Sequence, residues 1–420
     1  MRPLSLLTTA ALATVAASAP ASAATVSPTH VRFPQVAVNA HGRTVVAWER
    51  QTHGRFTVEA RIGERPAKLG RVHSLARLGY RPQVAAGADG TVAAEWMQSG
   101  PGRDVRIRVA IARPGHDFGS ARTVFQRKGN IAPVAIAVQP TGRVVAIWER
   151  ANSRVSYALG LPGHRFGAGR ELTSTGSIGR ADVAVDPRDG TVLFAYSTAV
   201  SIVPPANSQA AVRTLTPAAQ AFSEPTLLSA LGTQGEAVPM AVAGPGGSAV
   251  AYTVSGNVAG LRLVRRAADG GWSAPQTIAA PAPGTFGVGL AVTLPADGAA
   301  VAAWSVLTDP YEPLGRPLGA QPFAAVAPPG AAFGAPQALA PAGRRFSDPS
   351  VASAGAESFV ASAVAHGPVL LAVRAPGAAA FTVPIPLAAD GDGDVALAAG
   401  GKHVLAIYQV GDRLQLQAIR

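Results

Sequence analysis

The chain contains no cysteine. That absence removes disulfides, thiolate metal sites, cysteine nucleophiles and lipid attachment through a cysteine. Lysine is almost missing as well, with only Lys68, Lys128 and Lys402, so the positive charge is carried by arginine. Charged residues make up 14% of the 420, against 48% hydrophobic, which is too apolar for a disordered chain. No collagen-like glycine period and no long helical run is present. The eight histidines (30, 41, 53, 73, 116, 164, 366 and 403) form no His-x-His or His-Glu-x-x-His spacing. There is no Gly-x-Ser-x-Gly elbow, no phosphate loop and no basic cleft interleaved with free aromatics. Zinc hydrolase, serine hydrolase, nucleotide-binding and nucleic-acid-binding signatures are therefore all lacking.

What the chain does have is turns and repetition. Glycine (46) and proline (35) are frequent, so short strands joined by tight turns fit the mixture. One pattern recurs along the chain. Pro34-Gln-Val-Ala-Val-Asn-Ala-His-Gly42 is followed by Arg-Thr-Val-Val-Ala-Trp48. Pro82 to Trp96, Pro133 to Trp148 and Ala181 to Tyr196 repeat it. Pro239 to Tyr252, Val288 to Trp304, Pro349 to Val364 and Asp394 to Tyr408 are weaker copies, with Gly246 and Gly298 as turn glycines of the first two. The seventh copy reads as having lost both glycine and aromatic.

Each unit reads as a hairpin closed at a glycine, where a positive φ is easy. Its second strand is apolar on both faces, so both faces are buried. A third strand, such as Val105 to Ile111, and a fourth after a recurring aromatic loop complete the unit. These loops include His116-Asp-Phe118-Gly and His164-Arg-Phe166-Gly. Four strands in about 50 residues is the blade of an all-β propeller. The last unit stops after its third strand, and a spare strand around Thr25-Val26-Ser27 is available to complete it. The expectation is one domain over residues 24–420: about eight blades, with the ring closed by the N-terminal strand. A seven-blade ring with the 340–390 region outside it is the other closure.

Residues 1–23 read as a secretory signal peptide. Arg2 leads, Leu4 to Ala17 is apolar but short, and Ala21-Ser22-Ala23 offers a cleavage site. No later stretch is apolar enough for a membrane span, so the expected location is extracellular or periplasmic, as a monomer. The formal charge is +12, concentrated in residues 1–210, which carry 25 Lys and Arg against 12 Asp and Glu. An arginine-rich half suits an anionic glycan or wall polymer, although a lysine-poor composition alone gives the same count.

The pattern resembles secreted bacterial β-propeller repeat proteins over the whole mature chain. The stretch Ala181-Asp-Val-Ala-Val-Asp-Pro-Arg-Asp-Gly190-Thr-Val also resembles an NHL-type propeller repeat. Sialidases are the enzymatic propellers to weigh, but their Ser-x-Asp-x-Gly-x-Thr-Trp box is in no copy. The resemblance implies architecture and leaves the family open.

Candidate chemistry is thin. Trp48, Trp96, Trp148, Tyr196, Tyr252, Trp304 and Tyr408 occupy one repeat position in strands apolar on both faces, which reads as core packing rather than a sugar-stacking surface. Glu49-Arg50 and Glu149-Arg150 start the connection from second to third strand. In a propeller that connection shares a face with the inter-blade loops, which bring Tyr80, Arg81, Arg180, Glu236 and Asp348. Together they form a candidate ligand face, against the plainer reading of solvated rim charges. Asp390-Gly-Asp392-Gly-Asp394 has the Asp-x-Asp-x-Asp shape of a calcium loop. Val395 and Ala398 stand where a glycine and a distal carboxylate belong, so an ordinary turn is the simpler reading and no cofactor is expected. No catalytic residue is assigned. The reading is a non-enzymatic binding or scaffold propeller, with a protein or an acidic glycan as ligand. The alternative is an extracellular carbohydrate-active hydrolase or lyase.

Overall fold

A computed structural model describes residues 23–420, except 67, 101, 103, 130, 151–153, 174–180, 202–206, 230–237, 255–259, 281–285, 308–320, 342–343, 345, 365 and 392–394. The described residues form 32 strands and no helix. The strands build eight antiparallel four-stranded sheets. The innermost strands are Val31–Val38, Gly79–Ala86, Ile131–Val138, Ala181–Val185, Val238–Gly244, Phe286–Thr293, Ser350–Ala354 and Val395–Gly400. Each packs beside the next, and the last packs beside the first, so the ring is closed. The protein is an eight-bladed β-propeller, and the 340–390 region is its seventh blade.

Closure follows the expected route. Blade 8 has three strands from the C-terminal end and a fourth from the N-terminal side, Ala24–Thr25, paired with Arg413–Ala418. Val26 is buried beside it, and Ser27 Oγ accepts a hydrogen bond from the Leu414 amide at 2.8 Å. The hairpin reading also holds. Gly42, Gly90, Gly142, Gly190 and Gly298 have φ between +72° and +91°. Two assignments change. In blade 5 the glycine in the left-handed region is Gly247, not Gly246. Blade 7 has kept its turn glycine, Gly355 at φ +58°, because its hairpin is shortened to pair Ala354 with Glu357.

The core lies between blades. All seven repeat aromatics are buried. Trp48 packs on Leu405, Ile407, Leu414 and Leu416 of blade 8, and Trp96 on Val58 and Ala76 of blade 1. Each aromatic therefore faces the preceding blade, while the residues either side of it face the following one. A buried tryptophan removes roughly 150–250 Å² from water, worth roughly 4–6 kcal/mol of transfer free energy.

Arginines add a second set of inter-blade links at the hairpin-turn face. Arg43 of blade 1 donates to the carbonyls of Gly90, Arg113 and His116 of blade 2 at 2.5 to 2.6 Å. Arg143 of blade 3 reaches the carbonyls of Ala219 and Thr216 of blade 4 at 2.7 and 2.8 Å. Between blades 4 and 5 the polarity reverses: Asp186 accepts from Arg266 at 2.8 Å and Ser248 at 2.5 Å. Asp186 is buried, but its donors Arg188, Ser248 and Arg266 outweigh that burial and hold its carboxyl well below the usual range. Asp297 of blade 6 binds Arg374 of blade 7 at 2.9 Å. Much of the arginine excess is thus structural.

Removing the chain up to and including Ser27 unpairs blade 8, exposes apolar surface around Val26 and orphans the Leu414 amide. The expected loss is about 2–4 kcal/mol, read as a lower urea midpoint. An unchanged midpoint would show that this strand does not secure the ring.

Candidate functional site

The inner strands of blades 1 and 2 are bulged where a proline interrupts the ladder. Register is lost between Arg32 and Gln35, and between Tyr80 and Gln83. Pro34 and Pro82 have no amide to donate, so the strand bends there. The residue before each proline takes a positive φ: Phe33 at +50° and Arg81 at +51°. Non-glycine residues rarely sit there, and such strain is concentrated at functional sites. Here it turns Phe33 and Arg81 outward, and Phe33 is 54% exposed.

The bulges assemble a ledge near the axis. The Arg32 guanidinium lies 5.9 Å from the Phe56 ring centre and 6.0 Å from that of Phe33. Phe56 meets Tyr80 of blade 2 at 5.3 Å between centroids. Below them Glu49, only 3% exposed, accepts a 2.5 Å hydrogen bond from the Arg81 amide. Burial raises the Glu49 carboxyl above its ordinary range, while the Arg81 amide and the charges of Arg32 and Arg81 pull it back. The ledge thus presents two guanidinium groups, three aromatic rings and a carboxylate that holds the strained backbone.

Of the expected ligand-face residues, Glu49, Tyr80 and Arg81 meet here. Arg50 does not. It points to the other side of its sheet and pairs with Glu59 at 3.3 Å, where Glu59 also accepts from Trp48 Nε1 at 3.0 Å. Glu49 is a buried group rather than a solvated rim charge, and it still belongs to its strand, Thr44–Thr52. Glu49 and Glu59 lie on opposite faces of that sheet, so they do not converge on one ligand. Glu149 and Arg150 end the second strand of blade 3, where Arg150 lies 5.3 Å from the Phe125 ring centre of blade 2. Asp348 begins blade 7 and sits against Gly289 of blade 6, on another part of the ring. Arg180 and Glu236 lie outside the described residues. So do Asp392 and Asp394, while Asp390 is exposed near the end of a strand, Ile385–Gly391. Among the described residues no cluster of three His, Asp or Glu is placed to hold a metal.

Sequence reasoning missed Arg32, Phe33 and Phe56. The recurring x-Pro step at the start of the unit was their one available signal. It also missed two acids in the blade interfaces, one fully buried and one half-buried. Glu95 occupies a repeat position held by Ala47 in blade 1 and Ile147 in blade 3. It is fully buried and neither carboxyl oxygen has a hydrogen bond of normal geometry; burial pushes its carboxyl well above the usual range, and the nearby Ile147 amide opposes that only weakly. Asp182 lines the inner strand of blade 4. Burial raises it to about 6, although the amides of Val183 and Ala241 of blade 5 favour its charged form. Ser350 makes the equivalent link from blade 7 to the Leu397 amide of blade 8 at 2.9 Å.

Fold and site together define a closed eight-bladed β-propeller with a cationic, aromatic-lined ledge beside its axis. No protein-family model matches the chain, and no curated protein matches it in sequence. Solved structures do match in shape. The polysaccharide lyase Uly1 aligns with a TM-score of 0.54 at 12% identity, covering 80% of this chain and 89% of that one. The BP39L lectin from Burkholderia pseudomallei aligns at 0.52 and 12% identity, covering 81% and 95%. A PL25 ulvan lyase bound to -[GlcA(1-4)Rha3S]- aligns at 0.50 and 10% identity, covering 93% and 94%. At such identities the likeness shows a shared fold.

Both acids keep their protons to higher pH when folded than when unfolded. Each therefore lowers stability as pH rises above the ordinary carboxyl range of about 4. For Asp182 the loss is complete above about 6. A Glu95→Gln, Asp182→Asn protein should have a higher urea midpoint than wild type at pH 7.5, with the gap narrowing at pH 4.5. A gap that does not change with pH would refute the assignment.

Proposed function

We propose that this chain is a secreted propeller that binds an acidic glycan on the ledge formed by blades 1 and 2. The observation that carries this reading is the ledge itself. Arg32 and Arg81 flank the aromatic rings of Phe33, Phe56 and Tyr80. Guanidinium groups suit carboxylates and sulfate esters, and aromatic faces suit the apolar side of a sugar ring. The propeller neighbours include a lectin and polysaccharide lyases, which is consistent with this class of ligand. Secretion rests on the signal-like residues 1–23, and the first strand of the fold starts at Ala24, directly after the expected cleavage site.

Binding of a uronate-containing or sulfated polysaccharide should weaken with added salt, because the contacts are ionic and exposed. Arg32→Ala with Arg81→Ala should lower affinity about tenfold or more. Salt-independent binding, or affinity indifferent to both substitutions, would count against the reading.

One observation favours a second reading, a hydrolase or lyase on the same ligand. Burial raises the Glu49 carboxyl above its ordinary range against the pull of the neighbouring arginines, a shift in the direction that suits a general acid. Glu49→Gln keeps an acceptor for the Arg81 amide. Release of reducing ends or unsaturated products by wild type, lost in Glu49→Gln with binding intact, would establish the enzymatic reading. Absence of product release by wild type would leave the binding reading.

A further inference from the structure

The repeat supplies an internal comparison at its outer rim. One residue of each outer strand sits one step beyond the partner of the repeat aromatic. In blade 1, Trp48 pairs with Glu59, and the next residue, Ala60, pairs with His73. The equivalents are Arg122 in blade 2, Arg170 in blade 3, Gln276 in blade 5 and Gln337 in blade 6. In blades 1, 3, 5 and 6 this residue latches onto the aromatic loop of the following blade, whereas Thr226, Ile385 and Ala24 hold the position in blades 4, 7 and 8. His73 lies 3.2 Å from Asp117, and Arg170 donates to the Gln220 carbonyl at 2.7 Å. Gln276 donates to the Ala331 carbonyl at 2.6 Å. Gln337 donates to the Phe381 carbonyl at 3.0 Å and accepts from its amide at 2.8 Å.

The latch between blades 2 and 3 is open. Arg122 makes no hydrogen bond or ion pair among the described residues. The loop residue that shares its groove, equivalent to Asp117, is Arg165, whose side chain has no partner either among the described residues. At the blade 1–2 junction the Asp117 carboxylate satisfies both His73 and Arg71, the latter at 3.1 Å. At the blade 2–3 junction a cation stands where that carboxylate would be. Arg122 and Arg165 instead line a groove of about 330 Å³, together with Val124 and the half-buried ring of Phe166.

We propose that this groove is a second binding site, for a sulfate ester or carboxylate carried on a sugar. Arg122 and Arg165 grip the anion in the place that Asp117 fills one blade earlier, and Phe166 offers an apolar face for the ring. Two guanidinium groups lining one groove, with no counter-charge among the described residues, form a ready-made oxyanion seat. The groove lies on the outer rim and shares no residue with the ledge beside the axis.

The test is run in an Arg32→Ala, Arg81→Ala background, so that remaining binding reports the rim alone. A sulfated or uronate-containing oligosaccharide, and separately inorganic sulfate, are titrated calorimetrically. Arg165→Asp gives Arg122 the partner that His73 already has. It should cut oligosaccharide affinity about tenfold and raise the thermal midpoint by closing the latch. Arg122→Gln should cut affinity similarly without the gain in midpoint. Phe166→Leu should weaken the oligosaccharide and leave sulfate unchanged. Undiminished oligosaccharide affinity in both arginine variants would overturn the site. Equal affinity for inorganic sulfate and oligosaccharide, indifferent to Phe166, would overturn the sugar and leave a free-anion seat. A failed ledge would show in the background variant itself, separately from the rim.

Discussion

Everything in this molecule depends on burying both faces of every blade against its neighbours. A four-stranded sheet of this composition is apolar on two sides and cannot stand in water alone. The second strand of each unit, such as Thr44–Thr52, supplies residues to both interfaces at once. The aromatic goes back to the preceding blade, and the small or branched residues beside it go forward. Because each blade is completed by the next, the ring must close. The short strand Ala24–Thr25 achieves that by joining the first and last strands of the fold in one sheet.

Closure also explains the arginines. Turns at the hairpin face leave carbonyls in need of donors at the blade boundaries. Arg43 and Arg143 reach across and fill those acceptors, and Asp186 with Arg266 does the same with the charges exchanged. A charge of +12 therefore overstates the cation available to a ligand. Two sets of exposed arginine stand out locally: Arg32 and Arg81 beside the axis, and Arg122 and Arg165 at the rim. Each set lies where the repeat has been altered, by a bulge in one case and by a replaced carboxylate in the other.

Glu95 shows the same logic inside the core. Its repeat position is small or aliphatic elsewhere, and a carboxyl there makes no hydrogen bond of normal geometry. The inner strand of blade 3 is bulged beside it, between Pro133 and Ala135. The bulge and the acid occur at one interface, and the Ile147 amide is the one group that favours its charge.

The sequence by itself determined the architecture. Glycine and tryptophan at fixed offsets, and strands apolar on both faces, define the hairpin and require stacked sheets. Counting those units led to eight blades and to the N-terminal strand that closes them. It erred where a hairpin shortened by a few residues moved the turn, as at Gly247 and Gly355. The candidate site was only partly legible. Glu49, Tyr80 and Arg81 were visible as polar residues at loop positions, but Arg50 was grouped with them because neighbours in sequence look alike until strand alternation parts them. Arg32, Phe33 and Phe56 were not visible, since a bulge changes which way a side chain points without leaving a mark beyond a proline. The exchange of Asp117 for Arg165 was readable in the aligned loops, but its meaning was not. Only the tertiary structure decided that Arg122 faces it across a blade boundary, because inter-blade neighbours are set by the closure of the ring and not by distance along the chain.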